Sequence, residues 1–249
     1  MSAPTIKEQL ESEKEVVARA AVQFVKSGMK LGLGSGTTSR HFIQLLGERV
    51  RRGQLDVEAV AASKQSEALA QAAGVPLTEA RRGLRLDLAV DGADEVGPHL
   101  ALIKGGGGAH LREKVVAAAA NYFLVIVDSS KLVQQLGAFP LPLEVVPFAM
   151  PWVMDRIERM GAMPVQRMDQ ESGDRPYVTD QHNYILDCHF RTIQQPVQLA
   201  SELEAIPGIV EHGLFNGYAR AALIAEGAGI RVLYQDGTSK MLSNFDELP

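Results

Sequence analysis

Small and hydroxyl-bearing residues follow the first apolar segment of the chain, in the loop Gly34-Ser-Gly-Thr-Thr38. Because this loop joins a predicted strand to a predicted helix, it offers free backbone N–H groups and the positive end of a helix dipole. Its hydroxyl groups add hydrogen-bond donors, so the loop could hold a phosphate. A glycine-rich turn with a Ser or Thr helix cap fits these residues equally well. The loop matches neither a Walker motif nor a dinucleotide fingerprint.

Two carboxylates, Asp91 and Asp94, lie three residues apart directly after another apolar segment. Two such groups facing one pocket can hold different protonation states, because like charges raise the pKa of one of them. They could then act as acid and base. A solvated turn in which Asp stabilises the backbone is slightly favoured by the spacing alone, and a magnesium site is a third interpretation.

A lysine and four consecutive glycines, Lys104-Gly-Gly-Gly-Gly108, precede a predicted helix that carries Glu113 near its start. Glycine loses more backbone entropy on folding than any other residue, so four in a row indicate backbone held against a ligand. The position of Glu113 has an ordinary explanation as well, because the helix dipole stabilises an acidic side chain near the start of a helix. Lys131 follows a later apolar segment, and its position has an ordinary explanation as a solvated lysine at the start of a helix.

The first half of the chain alternates apolar segments with amphipathic ones. We predict helices over residues 11–27, from the Gly34 loop through 46, over 65–73 and over 109–121, and strands over 30–33, 57–62, 86–90 and 122–127. Strands that are apolar throughout and alternate with helices indicate an open, mostly parallel, Rossmann-like sheet covered on both faces. Ligands of such sheets bind beyond the carboxyl ends of the strands, where three of the polar clusters fall. The fourth, at Lys104, lies just before a helix, and all four could converge on one crevice.

The pattern changes after the segment Phe139-Pro-Leu-Pro142. Strands are predicted at 143–148, 164–168, near Tyr177, at 184–190 and at 209–214, and helices at 152–160 and 197–205. Apart from the strand near Tyr177, this is the β-α-β-β-α-β order of a ferredoxin-like unit. Later apolar strands at 221–225 and 230–234 are expected to return at least in part to the first sheet. We therefore predict an α/β domain of residues 1–138 and 215–249 with an inserted α+β ferredoxin-like domain of residues 139–214.

Composition excludes several classes of function. The chain has 249 residues, a formal net charge of −5 and no block of like charge longer than a few residues, which argues against a nucleic-acid surface. A single cysteine, Cys188, indicates a reducing compartment. The first ten residues lack the apolar core of a signal peptide and no window approaches a membrane span, so we expect a cytoplasmic protein without membrane contact. Six histidines show no metal-ligand spacing, and we expect no metal.

Taken together, these residues resemble ribose-5-phosphate isomerase of the A type. The matching segments are Gly32-Leu-Gly-Ser-Gly-Thr-Thr-Ser39, Asp91-Gly-Ala-Asp-Glu95, Lys104-Gly-Gly-Gly-Gly-Ala109, Arg112-Glu-Lys114, Asp128-Ser-Ser-Lys131 and Phe139-Pro-Leu-Pro-Leu-Glu-Val-Val-Pro147. The likeness extends from about residue 11 to about residue 234. No single motif is decisive, but their joint order is highly specific.

The resemblance implies an isomerase that interconverts D-ribose 5-phosphate and D-ribulose 5-phosphate through an enediolate, without metal or organic cofactor, as a homodimer or homotetramer. It implies that Glu113 moves a proton between C2 and C1, and that Asp91 and Asp94 contact substrate hydroxyls and assist ring opening. Lys104 would bind substrate and stabilise the oxyanion, and Lys14 would lie near the phosphate. The expected substrate-binding residues are Ser35, Gly36, Thr37, Thr38, Asp91, Gly92, Ala93, Asp94, Lys104, Gly105, Gly106, Gly107 and Lys131.

Two other functions compete with this interpretation. Sugar-phosphate-sensing domains of some bacterial repressors resemble this fold without catalysing a reaction, but they follow a helix-turn-helix, for which about thirty residues before the first strand leave too little room. Acyl-CoA transfer on a related fold would make the glutamate a covalent nucleophile. The chain departs from the family pattern at His110, where a small or apolar residue is usual, and residues 235–249 have no recognised counterpart.

Overall fold

A computed structural model describes residues 5–170, 172–226 and 229–242 of the chain. The helices are α1 (Ile6–Gln23), α2 (Thr37–Arg51), α3 (Lys64–Ala73), α4 (His110–Ala119), α5 (Met150–Arg159) and α6 (Pro196–Glu204). The strands are β1 (Lys30–Leu33), β2 (Glu58–Ala61), β3 (Leu86–Asp91), β4 (Glu95–Val96), β5 (Leu102–Ile103), β6 (Ala120–Val127), β7 (Leu141–Val145), β8 (Met163–Gln166), β9 (Tyr184–His189), β10 (Ile209–His212), β11 (Leu214–Phe215), β12 (Ala221–Glu226), β13 (Gly229–Tyr234) and β14 (Ser239–Leu242). None of the helices in these ranges is long and apolar enough to cross a membrane.

The largest sheet has seven strands in the order β14-β13-β12-β6-β3-β1-β2. The pairs from β12 through β6, β3 and β1 to β2 are all parallel, and β13 and β14 add an antiparallel edge. The predicted mostly parallel α/β sheet is confirmed. Both late apolar strands return to this sheet, and residues 239–242 of the unassigned tail extend it. Residues 243–249 lie outside the described ranges.

Both faces of this sheet are buried, as continuously apolar strands require. Along β6, Leu124 and Ile126 pack in one core with residues of α1, α2 and α3. Phe123 and Val125 point to the opposite face, where they pack in a second core with Val116 of α4. Because side chains alternate along a strand, β6 fills both layers and places its carboxyl end between them.

A second, four-stranded sheet has the order β10-β7-β9-β8 with every pair antiparallel. Its chain order β7-α5-β8-β9-α6-β10 is the predicted ferredoxin-like arrangement. Leu143, Ile157, Leu186 and Leu203 belong to a separate core between this sheet and its two helices. The α/β fold with an added small antiparallel sheet is therefore confirmed, whereas the domain boundaries at residues 139 and 214 stay a prediction.

Three short strands form a third sheet, β11-β5-β4, that the sequence pattern did not reveal. Two-residue strands are too short to show a period. Strand β5 ends directly before Lys104, and β11 pairs with it antiparallel on the path back from the four-stranded sheet. This small sheet therefore fixes the start of the lysine and glycine segment.

Some predicted element boundaries differ from the structure. The expected strand near Tyr177 is reduced to two isolated bridges, Met168 with Pro176 and Val178 with Tyr184. Proline lacks the N–H that a regular ladder requires, which limits pairing here. The helix predicted through residue 121 ends at Ala119, because the following residues begin β6 and pair with β3.

Candidate active site

One pocket of about 230 Å³ collects the polar clusters at the carboxyl ends of β1, β3 and β6. Its lining residues are Leu10, Lys14, Ser35, Gly36, Thr37, Thr38, Gly92, Ala93, Asp94, Lys104, Gly105, Gly106, Gly107, Glu113, Asp128, Ser130 and Lys131. Every predicted site residue lines this pocket except Asp91, which lies beneath it. Sequence reasoning missed Leu10, Asp128 and Ser130. The latter two belong to a matching motif, whereas an apolar helix residue such as Leu10 carries no chemical signal.

The loop after β1 passes so close to Asp91 that Gly34 must be glycine. A Cβ atom at Gly34 would stand 2.0 Å from Asp91 Oδ1. Gly36, with φ +95°, is the N-cap of α2, and no side chain caps this helix. Within the described ranges, no acceptor takes the N–H groups of residues 36–38. The Ser or Thr cap considered from the sequence is absent from α2, and these donors are available to an anion.

Asp91, at the end of β3, is buried and holds two parts of the site together. Its Oδ1 accepts hydrogen bonds from the Ser35 N–H (3.0 Å), the Gly92 N–H (2.7 Å) and the Ser39 hydroxyl (3.0 Å). Its Oδ2 lies 2.9 Å from Lys104 Nζ. Asp91 therefore fixes the loop after β1 and the lysine relative to each other.

Lys104 is a buried cation at the floor of the pocket. Its Nζ donates a hydrogen bond to the Gly92 carbonyl (2.8 Å) and lies 3.2 Å from Glu113 Oε2 and 5.5 Å from the centre of the Phe215 ring. Burial alone would lower the pKa of Lys104, but the Asp91 and Glu113 carboxylates outweigh burial and raise it. Lys104 therefore remains an ammonium group, in a place where its charge is weakly screened.

Glu113 lies in the first turn of α4 and is only 6% exposed. Its Oε2 makes no hydrogen bond within the described residues, although Lys104 Nζ lies 3.2 Å away. Burial and the nearby Asp91 carboxylate raise the pKa of Glu113 to about 8, against the opposing effect of Lys104. A buried carboxylate that has a raised pKa and only the Lys104 ammonium beside its Oε2 is suited to accept a proton near neutral pH.

The four glycines Gly105–Gly108, hereafter the glycine loop, approach Asp94 at the wall of the pocket. The Gly106 N–H donates to Asp94 Oδ2 at 2.7 Å. A Cβ at Gly106 would lie 2.6 Å from Asp94 Oδ1, whereas a Cβ at Gly107 would meet no atom within 4 Å. Gly107 therefore borders open space in the pocket, and Asp94, unlike Asp91, is one of the carboxylates that line it.

Two lysines line the pocket where α1 meets the turn after β6. The Glu13 carboxylate of α1 accepts the Ser129 N–H at 2.8 Å, and this hydrogen bond joins the two elements. Lys14 and Lys131, one from each element, consequently line the same pocket. Asp128 is buried and accepts hydrogen bonds from the Ser130 N–H and hydroxyl. Two lysines beside the free N–H groups of α2 form an environment suited to a phosphate.

His110, the departure noted in the sequence, is fully buried at the start of α4. Its Nε2 lies 3.3 Å from the Glu211 carbonyl oxygen, and its Nδ1 makes no hydrogen bond within the described ranges. Burial lowers the pKa of His110 to about 3, so the ring is neutral. Among residues 5–170, 172–226 and 229–242, no group of three His, Cys, Asp or Glu side chains is arranged to hold a metal ion.

The fold and the site together define a class of protein. An open α/β sheet presents uncapped helix N–H groups and two lysines to one pocket. The same pocket is lined by a buried carboxylate and a buried ammonium that lie 3.2 Å apart. Anion binding beside proton-transfer groups is typical of enzymes that act on small phosphorylated substrates.

Comparison with known proteins identifies the family. Residues 58–229 match the profile of the family described as ribose 5-phosphate isomerase A (phosphoriboisomerase A). A ribose-5-phosphate isomerase A of Thermosynechococcus vestitus is 48% identical over 215 residues, which cover 86% of this chain and 91% of that protein. One from Synechococcus sp. is 49% identical over 221 residues, covering 88% and 95%. The chain belongs to the ribose 5-phosphate isomerase A family.

Solved structures agree with this assignment. Ribose 5-phosphate isomerase A from Methanocaldococcus jannaschii superposes with a TM-score of 0.86 at 40% identity, covering 90% of this chain and 99% of that chain. A D-ribose-5-phosphate isomerase in complex with phospho-erythronic acid gives a TM-score of 0.88 at 37% identity, with the same coverage. These likenesses extend over both the seven-stranded sheet and the small antiparallel sheet.

Proposed function

We propose that this chain interconverts D-ribose 5-phosphate and D-ribulose 5-phosphate by proton transfer through an enediolate. The observation that carries the proposal is the buried Glu113 carboxylate, whose Oε2 has no hydrogen bond within the described residues and lies 3.2 Å from the Lys104 ammonium. A base and a cation at this separation can act on one carbon atom and its neighbouring oxygen.

Glu113 is the base of the proposed reaction. Starting from the open-chain aldose, its carboxylate takes the proton from C2, and the electron pair of the broken C–H bond forms the C1–C2 double bond of the enediolate. The C1 carbonyl oxygen then carries the negative charge. Glu113 then delivers a proton to C1, either the one taken from C2 or one exchanged with solvent, which completes the ketose and returns Glu113 to its carboxylate form.

Lys104 stabilises the charge that develops on the substrate oxygen. Its ammonium group is held by the Gly92 carbonyl and Asp91, so little reorganisation is needed when the charge appears. Between the two carbon proton transfers, O1 must gain a proton and O2 must lose one. We assign this exchange to Asp94, because its carboxylate lines the pocket on the side of the glycine loop.

Asp91 is proposed to act chiefly by positioning, since its two oxygens are occupied by the loop after β1 and by Lys104. Direct contact between Asp91 and a substrate hydroxyl stays a prediction. The phosphate of the substrate would bind the α2 N–H groups together with Lys14 and Lys131. Anchoring the phosphate there holds the sugar chain in register with Glu113.

The decisive test follows ribose 5-phosphate conversion in D₂O with excess chelator. The proposal expects ribulose 5-phosphate to form in D₂O at the same rate with and without the chelator. Part of the product should carry deuterium at C1, because protonated Glu113 can exchange with solvent before it returns a proton. Loss of activity with chelator would contradict the metal-free reaction. Tight phosphosugar binding without conversion would contradict catalysis and favour a sensor, and thioester exchange with acyl-CoA would favour the transferase alternative.

We also propose that the protein works in the cytoplasm as a homodimer or homotetramer. Two neighbouring aromatic side chains on the small unit, Phe148 and Trp152, are 79% and 61% exposed, and their rings lie 5.3 Å apart. Exposed apolar pairs of this kind favour association. Light scattering on the purified chain and on a Phe148→Ser, Trp152→Ser double variant tests this assembly. A wild-type protein that is monomeric would contradict the proposal.

A further inference from the structure

The glycine loop is held from behind by two side chains of the small antiparallel unit. Arg167, the residue after β8, donates through Nη1 to the carbonyl oxygens of Gly105 (2.9 Å) and Gly106 (3.0 Å). The Tyr177 hydroxyl donates to the Gly107 carbonyl oxygen at 3.2 Å. Three successive carbonyl groups of the loop therefore have partners outside the seven-stranded sheet unit.

Holding these carbonyl groups also sets the direction of the N–H groups. In a planar trans peptide the N–H points opposite to the C=O of the preceding residue. The carbonyl of Gly105 faces Arg167, and the N–H of Gly106 on the same peptide donates to Asp94 in the pocket. By the same geometry the Gly107 N–H is directed away from Arg167, and it has no acceptor in the described part of the chain.

Arg167 is itself held in place. Its guanidinium forms a two-point ion pair with the Asp187 carboxylate of β9 and lies 5.9 Å from the centre of the Tyr177 ring. The planar guanidinium can serve a carboxylate on one edge and backbone oxygens on another, which a lysine cannot do. Asp187 thus aims the remaining donors of Arg167 at the loop.

Tyr177 restricts the loop by contact as well as by its hydroxyl group. Gly108 has φ +76°, and a Cβ there would lie 2.4 Å from Tyr177 Cε1. The ring therefore packs directly on the Gly108 backbone. Four consecutive glycines have a wide choice of conformations, so contacts such as these are needed to keep one conformation populated.

We propose that Arg167, assisted by Tyr177, is a positioning residue that aims the Gly107 N–H at the substrate oxygen which becomes negative in the enediolate. This inference rests on the proposed isomerase function. The Gly107 N–H would then join Lys104 as a donor whose hydrogen bond strengthens as charge develops. The small antiparallel unit would contribute to catalysis without touching the substrate.

The test compares Arg167→Ala with Arg156→Ala, the same substitution at an exposed arginine of α5. We expect Arg167→Ala to lower kcat about 10- to 100-fold with less than about a threefold change in KM, since misplacing a donor mainly affects the transition state. Added methylguanidinium should restore part of kcat. Arg156→Ala should retain wild-type kcat. Tyr177→Phe, which keeps the ring but removes the hydroxyl, should lower kcat by a smaller factor.

Binding measurements separate positioning from general loss of structure. Calorimetry should show that Arg167→Ala weakens binding of phospho-erythronic acid, whose carboxylate carries negative charge beside the reacting carbons, while inorganic phosphate binds as in the wild type. The inference would be overturned if kcat were unchanged in Arg167→Ala and in Tyr177→Phe. It would also be overturned if Arg167→Ala kept wild-type thermal stability but lost kcat that methylguanidinium did not restore. If the wild-type chain itself did not isomerise ribose 5-phosphate, the proposed function would fail instead.

Discussion

Replacing Glu113 with glutamine should abolish most activity and yet make the protein more stable. The amide keeps the size of the carboxyl group but cannot accept a proton from carbon. General-base catalysis contributes roughly 10²- to 10⁴-fold, so kcat should fall by about that factor with a smaller effect on KM. The gain in stability follows from the raised pKa of Glu113 and has a definite pH dependence.

The sign of the stability change follows from proton binding. The folded-state pKa of Glu113 is about 8, above the ordinary value of 4.5 expected in the unfolded chain. The folded protein therefore binds this proton more tightly, and the stability it gains is fully present below pH 4.5 and is lost as the pH rises to about 8. Since each pH unit contributes about 1.4 kcal/mol, the wild type loses roughly 3 kcal/mol between pH 4.5 and pH 7.

A glutamine at this position carries no charge at any pH and avoids this loss. Glu113→Gln should therefore unfold at a temperature about 6 to 12 °C higher than the wild type at pH 7, and the difference should shrink towards zero near pH 4.5. Thermal melts across this pH range give the measurement. Glu158→Gln, the same change at an exposed position of α5, is the matched control and should differ little from the wild type at any pH.

Two outcomes would refute this reasoning. A Glu113→Gln variant with near-normal kcat would show that another group is the base. A variant that is no more stable than the wild type at pH 7, or whose advantage does not change with pH, would show that burial of the Glu113 charge is not costly in this site.

Three further predictions follow from the site. Gly108→Ala should lose stability and activity, because φ is +76° and the new Cβ would collide with Tyr177, whereas Gly107→Ala should melt normally. The kcat/KM of the wild type should fall as the pH drops below about 8, because the raised pKa of Glu113 leaves its carboxyl group protonated there. A pH profile in which kcat/KM falls only below pH 5 would contradict this prediction. Lys131→Ala should raise KM more than it lowers kcat in steady-state assays, and an unchanged KM would exclude a phosphate contact.

The α/β class and the small inserted unit could be predicted because their signals are local. Strands such as Tyr122 to Val127 are apolar throughout, which is typical of a sheet covered on both faces, and the order of elements after residue 139 matches one known arrangement. Element ends were less predictable. Ala119 and Ala120 have equal helix propensity, and only the pairing of β6 with β3 makes the helix end between them.

The sequence by itself determined which chemical groups are present and that they meet at one edge of a parallel sheet. The clusters around Ser35, Asp94, Lys104 and Lys131 each follow a strand or precede a helix, and chain direction brings such positions together. These features depend on neighbouring residues and on the period of the pattern, which a linear sequence records.

Only the tertiary structure decided how those groups divide the work. Asp91 and Asp94 look alike in the sequence, yet Asp91 is buried under Lys104 and Asp94 lines the pocket. Arg167 and Tyr177 carried no signal, because their contacts with the glycine loop join residues about 60 to 70 positions apart. Burial, hydrogen bonding and pKa depend on distances through space, and these are fixed only when the sheets pack against each other.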